Sequence, residues 1–427
     1  MSCWNRRLRR TWVAVATAGL LAVPVSASAA YGAETPTPPV ATGTAPARDG
    51  STLPPLSADV ADKLDAAIQG VMSKTGVPGA IVGLWMPGKG QYIRTFGVSD
   101  KDTREPMAQN FYSRIGSETK TFTVTALLEL VDQHKIGIDD PISKYIDGVP
   151  NGDRITLRQL AEMRSGLWSY TTEPAFAEAL FADPGRSFTP QQLLEYAYER
   201  PGVQFRPGER FDYCNTNLVL LGLVVEKITG RPIQDVIEQD VVRRAGLTHT
   251  LFPTDAAFPE PHAQGYSNQT KTGAVENVTD WNPSWGWAAG AMISTLEDLH
   301  RWASVLADGT LLTPETQAQR LKTKPTGIEG AGYGMGIFDI QGWIGHNGSL
   351  PGYQSLTIHL PGPDATLVLL TNTDTSYREF EPSVLLGRAI TEIVTPDHVF
   401  FLPKPVSESK PSPSAPQSTP PSASPSS

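Results

Sequence analysis

The sequence predicts an α+β fold: one antiparallel sheet built from both chain ends and flanked by helices, with a mostly helical subdomain between the two halves. Three observations lead there. A strand-turn-strand pattern lies near the start, strand patterns return only after Gly332, and the long stretch between them carries mostly helical spacing. The cleft between sheet and helices is then the natural place for a site.

The first ten residues, MSCWNRRLRR, hold four arginines and no acid, and lead into the apolar run TWVAVATAGLLAVPVSA and the triplet Ala27-Ser28-Ala29. This is the pattern of a secretory signal peptide over residues 1–30. The apolar run falls short of the roughly 20 residues a membrane span needs, and it contains Pro24. The expected product is secreted, free in the medium or held in the cell wall, without stable membrane insertion. Removing four positive charges and no negative ones takes the formal net charge from −9 to −13, which argues against a nucleic-acid partner. Cys3 leaves with the signal, so Cys214 stands alone and no intrachain disulfide can form in the mature chain.

Residues 31–55 are rich in Pro, Thr and Ala, and residues 401–427 are mostly Pro and Ser. Neither carries the apolar periodicity that offsets chain entropy, so both read as unstructured flanks of a domain over 56–400. Inside that domain, Ala58 to Lys74 has helical spacing and stops at Gly76. AIVGLW and QYIRTFGV then flank Pro87-Gly88-Lys89-Gly90 as a hairpin. Helical patterns follow from Ser117 to about Leu130 and from Asn215 to Ile228, the second ending at Gly230 with Pro232 opening the next. Ser294 with Glu297 predicts a capping box for a helix through Leu306. Strands are predicted over Tyr333 to Asp339, Tyr353 to Leu360 and Ala365 to Thr371, and a helix over about Val384 to Val394.

The chemistry-bearing residues sit at the helix starts. Ile115-Gly116-Ser117-Glu118-Thr119-Lys120 places a hydroxyl and an amine three residues apart, hence on one helical face. An amine so placed can take a proton from serine, and a helix N-terminus favours negative charge forming at the oxygen. The spacing alone is unspecific, since Ser407 and Lys410 repeat it in the tail. Order gives it weight. Phe211-Asp212-Tyr213-Cys214-Asn215 supplies a Y-x-N group before the second helix, and Gly345-His346-Asn347-Gly348-Ser349 supplies an H-x-G group just before the strand at Tyr353. No G-x-S-x-G elbow, H-E-x-x-H or complete G-x-x-x-x-G-K-[ST] is present (Gly83 to Lys89 has the spacing, but Gly90 follows the lysine), so other common serine hydrolases, zinc proteases and nucleotide-binding enzymes lack their parts and no cofactor or metal is expected.

Through these motifs the chain resembles the serine β-lactamase-like superfamily, in particular D-alanyl-D-alanine carboxypeptidases and class C β-lactamases, over about 58 to 396. Arg164-Ser165-Gly166-Leu167, FRPGERFDYCNTN, AGLTHT and AAGAMISTLEDL extend the likeness. The resemblance implies that Ser117 attacks a carbonyl carbon with Lys120 as general base, that Tyr213 passes a proton to the leaving group, and that Asn215 holds Lys120 and the substrate amide. It implies an oxyanion hole from the backbone N–H groups of Ser117 and Ser349, an electrostatic and hydrogen-bonding role for His346, and substrate contacts at Asn347, Gly348, Ser349 and Trp285. Gly348 is expected to lack a side chain because substrate backbone lies against it, Cys214 to be a buried filler, and Trp281 and Trp287 to line either cleft or core.

The substrate is less determined. Relatives hold a substrate carboxylate with hydroxyls after the H-x-G histidine and with an arginine after a Y-G-L-G strand. Here Phe338 follows Tyr333-Gly334-Met335-Gly336-Ile337, and Asn347 stands where threonine is usual, although Ser349 keeps a hydroxyl. The leading expectation is a D-Ala-D-Ala carboxypeptidase or related peptidoglycan amidase that binds penicillin. The alternatives are an esterase on the same scaffold, a β-lactamase, and a catalytically silent wall-peptide binder.

Overall fold

The computed structural model describes residues Leu53–Leu402. The signal peptide and nearly all of both expected flanks lie outside the described residues. Helix α1 (Ala58–Thr75) ends at Gly76, whose N–H returns to the Met72 carbonyl. Strands β1 (Gly79–Met86) and β2 (Gly90–Gly97) form the expected hairpin.

Helix α2 (Thr119–Asp132) follows a 3-10 turn at Gly116–Glu118. Twelve successive residues of it, 119 to 130, are buried, so its polar groups need partners inside the protein. Thr121 Oγ1 accepts from Trp302 Nε1 at 2.8 Å, Thr123 Oγ1 donates to the Ala288 carbonyl at 2.7 Å, and Thr125 Oγ1 accepts from Arg320 at 2.8 Å. Helix α3 (Asn215–Thr229) packs against α2 and stops at Gly230.

Helix α4 (Leu296–Asp308) lies over the sheet. The expected Ser294 cap is corrected by one residue: Ser294 is extended and pairs with Ser113, so Thr295 takes the cap and accepts from the Asp298 N–H.

The C-terminal half supplies β3 (Lys324–Pro325), β4 (Ala331–Tyr333), β5 (Phe338–Ile340), β6 (Trp343–Leu350), β7 (Tyr353–Leu360) and β8 (Ala365–Thr371). With the N-terminal hairpin they make one antiparallel eight-stranded sheet in the order β2-β1-β8-β7-β6-β5-β4-β3. Both chain ends therefore do complete the sheet, by pairing β1 with β8. The single strand expected from Tyr333 to Asp339 is instead two, folded back by a turn in which Gly334 N–H bonds the Ile337 carbonyl. The H-x-G group lies inside β6, which immediately precedes the strand at Tyr353 as expected.

Helix α5 (Pro382–Val394) packs on β7, β8 and α1. Strands β1, β7 and β8 are buried at every residue, as expected where helices cover both faces. Pairing register sorts those faces. Gly83, Val368, Thr357 and His346 are successive cross-strand partners on the α4 side, where a Cβ on Gly83 would meet Leu296. Leu356 and Asn347 belong to the opposite face, towards α5.

Candidate active site

The nucleophile turn is pressed into the free half of β6. Strand β5 pairs with β6 only as far as Gly345, which leaves 346–350 without a strand neighbour on that edge. The turn bearing Ser117 packs there instead. A Cβ on Gly348 would lie 1.9 Å from the Ile115 carbonyl oxygen, and one on Gly116 would lie 2.7 Å from Ser349 N. Gly116 also has φ +50. The expected reason for Gly348, room for substrate backbone, is thus corrected: the room is taken by the protein's own chain. Ser355 Oγ donates to the Ile115 carbonyl at 2.9 Å and holds the turn to β7.

Lys120 Nζ is 2.8 Å from Ser117 Oγ and 2.8 Å from the Ala289 carbonyl. The lysine is fully buried, and burial holds its ammonium form well below the ordinary lysine range. A neutral amine can accept the serine proton. Tyr213 brings its ring under the amine, with Nζ 4.9 Å from the centroid. Burial pushes the Tyr213 phenol up; the Ser117 hydroxyl opposes the shift and the Glu381 carboxylate adds to it, so the phenol keeps its proton.

Asn215 opens α3, and its Nδ2 donates to Thr171 Oγ1 at 3.0 Å while its backbone N–H donates to Ser169 Oγ at 3.1 Å. The partner expected for it, Lys120, is held by the Ala289 carbonyl instead. His346 sits in a closed aromatic surround, 5.0 Å from the Phe338 centroid and 6.1 Å from that of Tyr213. Its Nδ1 is 2.6 Å from the Asn347 carbonyl, which can only accept, so Nδ1 carries the proton and Nε2 accepts from Tyr333 Oη at 3.2 Å. Burial, reinforced by Lys120, lowers its pKa to about 3. The imidazole is neutral, so it orients neighbours and supplies no positive charge.

Ser117 opens into a cavity of about 240 Å³ lined by Phe211, Tyr213, Ile328, Phe338, Asn347, Ser349, Phe380, Glu381, Val384 and Leu402 as well. Trp285 is outside this lining; its ring lies 6.0 Å from Phe176 and its carbonyl accepts from Tyr170 Oη at 2.6 Å. Trp281 pairs with Phe181. Cys214 is buried with Sγ against the Leu167 carbonyl, and burial raises its thiol to about 11, the state of an inert filler.

A model of the beta-lactamase family matches residues 64–388. The chain belongs to this family. Among similar proteins, the D-aminopeptidase of Brucella anthropi is 28% identical over 69% of this chain and 56% of its own length, so the chain spans little more than half of that relative. A D-stereospecific amidohydrolase from Streptomyces sp. superposes with TM-score 0.69 at 30% identity, covering 78% of this chain and 97% of the other. The D-amino acid amidase of Ochrobactrum anthropi SV3, solved with D-phenylalanine, gives TM-score 0.69 at 28% identity over 78% and 98%.

Within this beta-lactamase-family serine hydrolase, sequence reasoning missed four groups beside the motifs. Ala289 and Tyr333 lie in segments quoted for the resemblance, but local spacing does not show that the Ala289 carbonyl meets Lys120 or that the Tyr333 hydroxyl meets His346, because each reaches its partner through tertiary packing. Phe338 was visible only as a missing arginine. Glu381 stands at the N-cap of α5, thirty-four residues from the Asn347 whose Nδ2 it accepts at 2.9 Å.

Proposed function

We propose that this beta-lactamase-family enzyme hydrolyses amide bonds of D-amino-acid-containing peptides or amides through an acyl-enzyme on Ser117. The observation that carries the reading is the 2.8 Å bond between a fully buried Lys120 amine, whose charged form burial disfavours, and a Ser117 hydroxyl that faces a cavity. In the acylation step Ser117 Oγ bonds to the substrate carbonyl carbon and its proton passes to Lys120 Nζ. The carbonyl oxygen takes the negative charge beside the N–H groups of Ser117 and Ser349. Collapse expels the amine, which leaves with a proton delivered by way of Tyr213. Water then attacks the ester carbon, releases the acid and returns the proton to Ser117.

The amide substrate class is supported by relatives named D-aminopeptidase and D-amino acid amidase. A D-Ala-D-Ala carboxypeptidase, the leading expectation from sequence, is the second reading, favoured by the Ser349 hydroxyl in the cavity wall. Against it, the described lining contains a glutamate and no lysine, arginine or histidine, and Phe338 stands where a carboxylate-binding arginine was sought. Export behind a signal peptide over 1–30, a catalytic domain over 56–400 and β-lactams as acylating ligands belong to the same proposal. No helix among the described residues is long and apolar enough to cross a membrane.

The test is acylation of Ser117 by a labelled penicillin or an activated D-alanine ester, read by mass spectrometry against Ser117→Ala. Turnover of D-alanine p-nitroanilide, a D-Ala-D-Ala peptide and a short p-nitrophenyl ester then ranks the readings. Modification elsewhere than Ser117 overturns the mechanism, hydrolysis confined to the D-Ala-D-Ala peptide selects the carboxypeptidase reading, and hydrolysis confined to the ester overturns the amide-hydrolase assignment.

A further inference from the structure

The cavity that opens at Ser117 draws its wall from two sources. Tyr213, Asn347 and Ser349 belong to the motif segments, whereas Phe380 and Leu402 come from the segments just before and just after α5 and belong to none of them. Leu402 also lies beyond residues 64–388, the span that the family model matches.

Both residues are held in place. Before α5, Tyr377 and Phe380 exchange backbone N–H···O bonds at 2.9 and 3.0 Å across Arg378 and Glu379, whose φ values are +49 and +70. That left-handed region costs a residue with a side chain about 1 kcal/mol, so the tight turn persists because its surroundings hold it. After α5 the chain folds back on the helix. Phe400 is buried and its N–H donates to Thr391 Oγ1 at 2.9 Å, while the His398 carbonyl accepts from Trp343 Nε1 at 2.7 Å. Phe401 then meets Phe380 with ring centroids 5.6 Å apart, and the Arg388 guanidinium lies 4.7 Å from the Phe401 centroid. Leu402 follows into the cavity wall.

An apolar wall that faces a cavity of about 240 Å³ has burial left to gain. A methyl-sized substrate group leaves most of it in contact with water, and a phenyl or long alkyl group covers it. We propose that Phe380 and Leu402 are specificity-determining residues that select substrates carrying a bulky apolar group next to the scissile carbonyl. The inference deepens the acyl-enzyme reading of Ser117 and rests on it. The group belongs either to the acyl residue or to the leaving group, and in both places it buries the same kind of surface.

The experiment follows kcat/KM and Ser117 acylation in the full chain with two substrate pairs. D-Phenylalanine and D-alanine p-nitrophenyl esters differ only in the acyl side chain, and D-alanine benzyl and methyl esters only in the leaving alcohol. Labelled-penicillin acylation of Ser117 is measured in parallel. The bulkier member of one pair should react with kcat/KM about tenfold or more above the smaller, the range of a filled apolar pocket. Preference in the first pair seats the group on the acyl side, and preference in the second seats it on the leaving side. In Leu402→Ala the ratio should fall by about threefold or more, the worth of one buried methylene. Leu402→Trp, which narrows the cavity, should lower it further. Leu402 is only half-buried, so neither substitution opens the core. Rates that are equal or favour the smaller member in both pairs, a ratio that either variant leaves unchanged, or acylation by penicillin alone overturns the inference while Ser117 remains the nucleophile. Failure of every ester and of penicillin to modify Ser117 overturns the acyl-enzyme reading instead.

Discussion

Gly348 runs so close to Ile115 that a single added carbon would sit 1.9 Å from the Ile115 carbonyl oxygen. The strand carrying Ser349 and the turn carrying Ser117 are therefore packed backbone to backbone, which would keep the two N–H groups proposed for the oxyanion at a fixed separation. Replacing Gly348 by alanine forces backbone apart from backbone, with no flexible side chain to give way. Gly348→Ala should lose about 3 kcal/mol of stability or more and acylate Ser117 far more slowly. Thermal melting together with penicillin acylation checks this; wild-type values for both would show that the contact is not needed.

Lys120 is the proposed proton acceptor for Ser117, to which its amine is bonded at 2.8 Å. Its other neighbours are the Ala289 carbonyl and the face of a protonated phenol. Lys120→Ala should lower the acylation rate by about 10²- to 10⁴-fold with a much smaller change in reversible ligand binding. Stopped-flow acylation against equilibrium binding separates the two, and an unaltered rate removes Lys120 from the mechanism.

Glu118, between nucleophile and base, points away from the cavity into the protein. Burial raises its carboxyl to about 8, offset only in part by the Ser355 and Thr357 hydroxyls. Its folded pKa lies above its unfolded one, so stability is fully present below about pH 4.5 and is lost as pH rises towards 8. Glu118→Gln removes that dependence. The variant's melting temperature should gain on the wild type as pH rises through this window, at about 1.4 kcal/mol per pH unit. A difference that stays constant with pH would place an ionised carboxylate here.

His346 behaves with the opposite sign. Its folded pKa of about 3 lies below the unfolded value, so stability is lost as pH falls from 6.5 towards 3. The ring's NMR shifts should stay flat between pH 5 and 8, and His346→Gln should lose less stability than the wild type on acidification. A titration near neutrality would make the ring a charge carrier in the cleft.

Much of the fold follows from local chemistry. The hairpin at Pro87–Gly90, the helix stops at Gly76 and Gly230, and the strands Tyr353–Leu360 and Ala365–Thr371 stand where turn residues and apolar patterns put them. The errors fell where two local patterns competed. Tyr333 to Asp339 carries strand residues on both sides of a tight turn, and Ser294 and Thr295 are equally good caps until one of them is drawn into pairing with Ser113.

The sequence by itself determined the family and the pairing of Ser117 with Lys120, because one helical turn brings i and i+3 together whatever surrounds them. Tertiary structure alone decided that Asn215 serves Thr171, that Trp285 packs near Phe176 and stays out of the cavity lining, that His346 is neutral, and that Glu381 enters the wall beside Asn347. Each of these depends on which segments pack side by side and how much water they exclude, and neither quantity is written in local spacing.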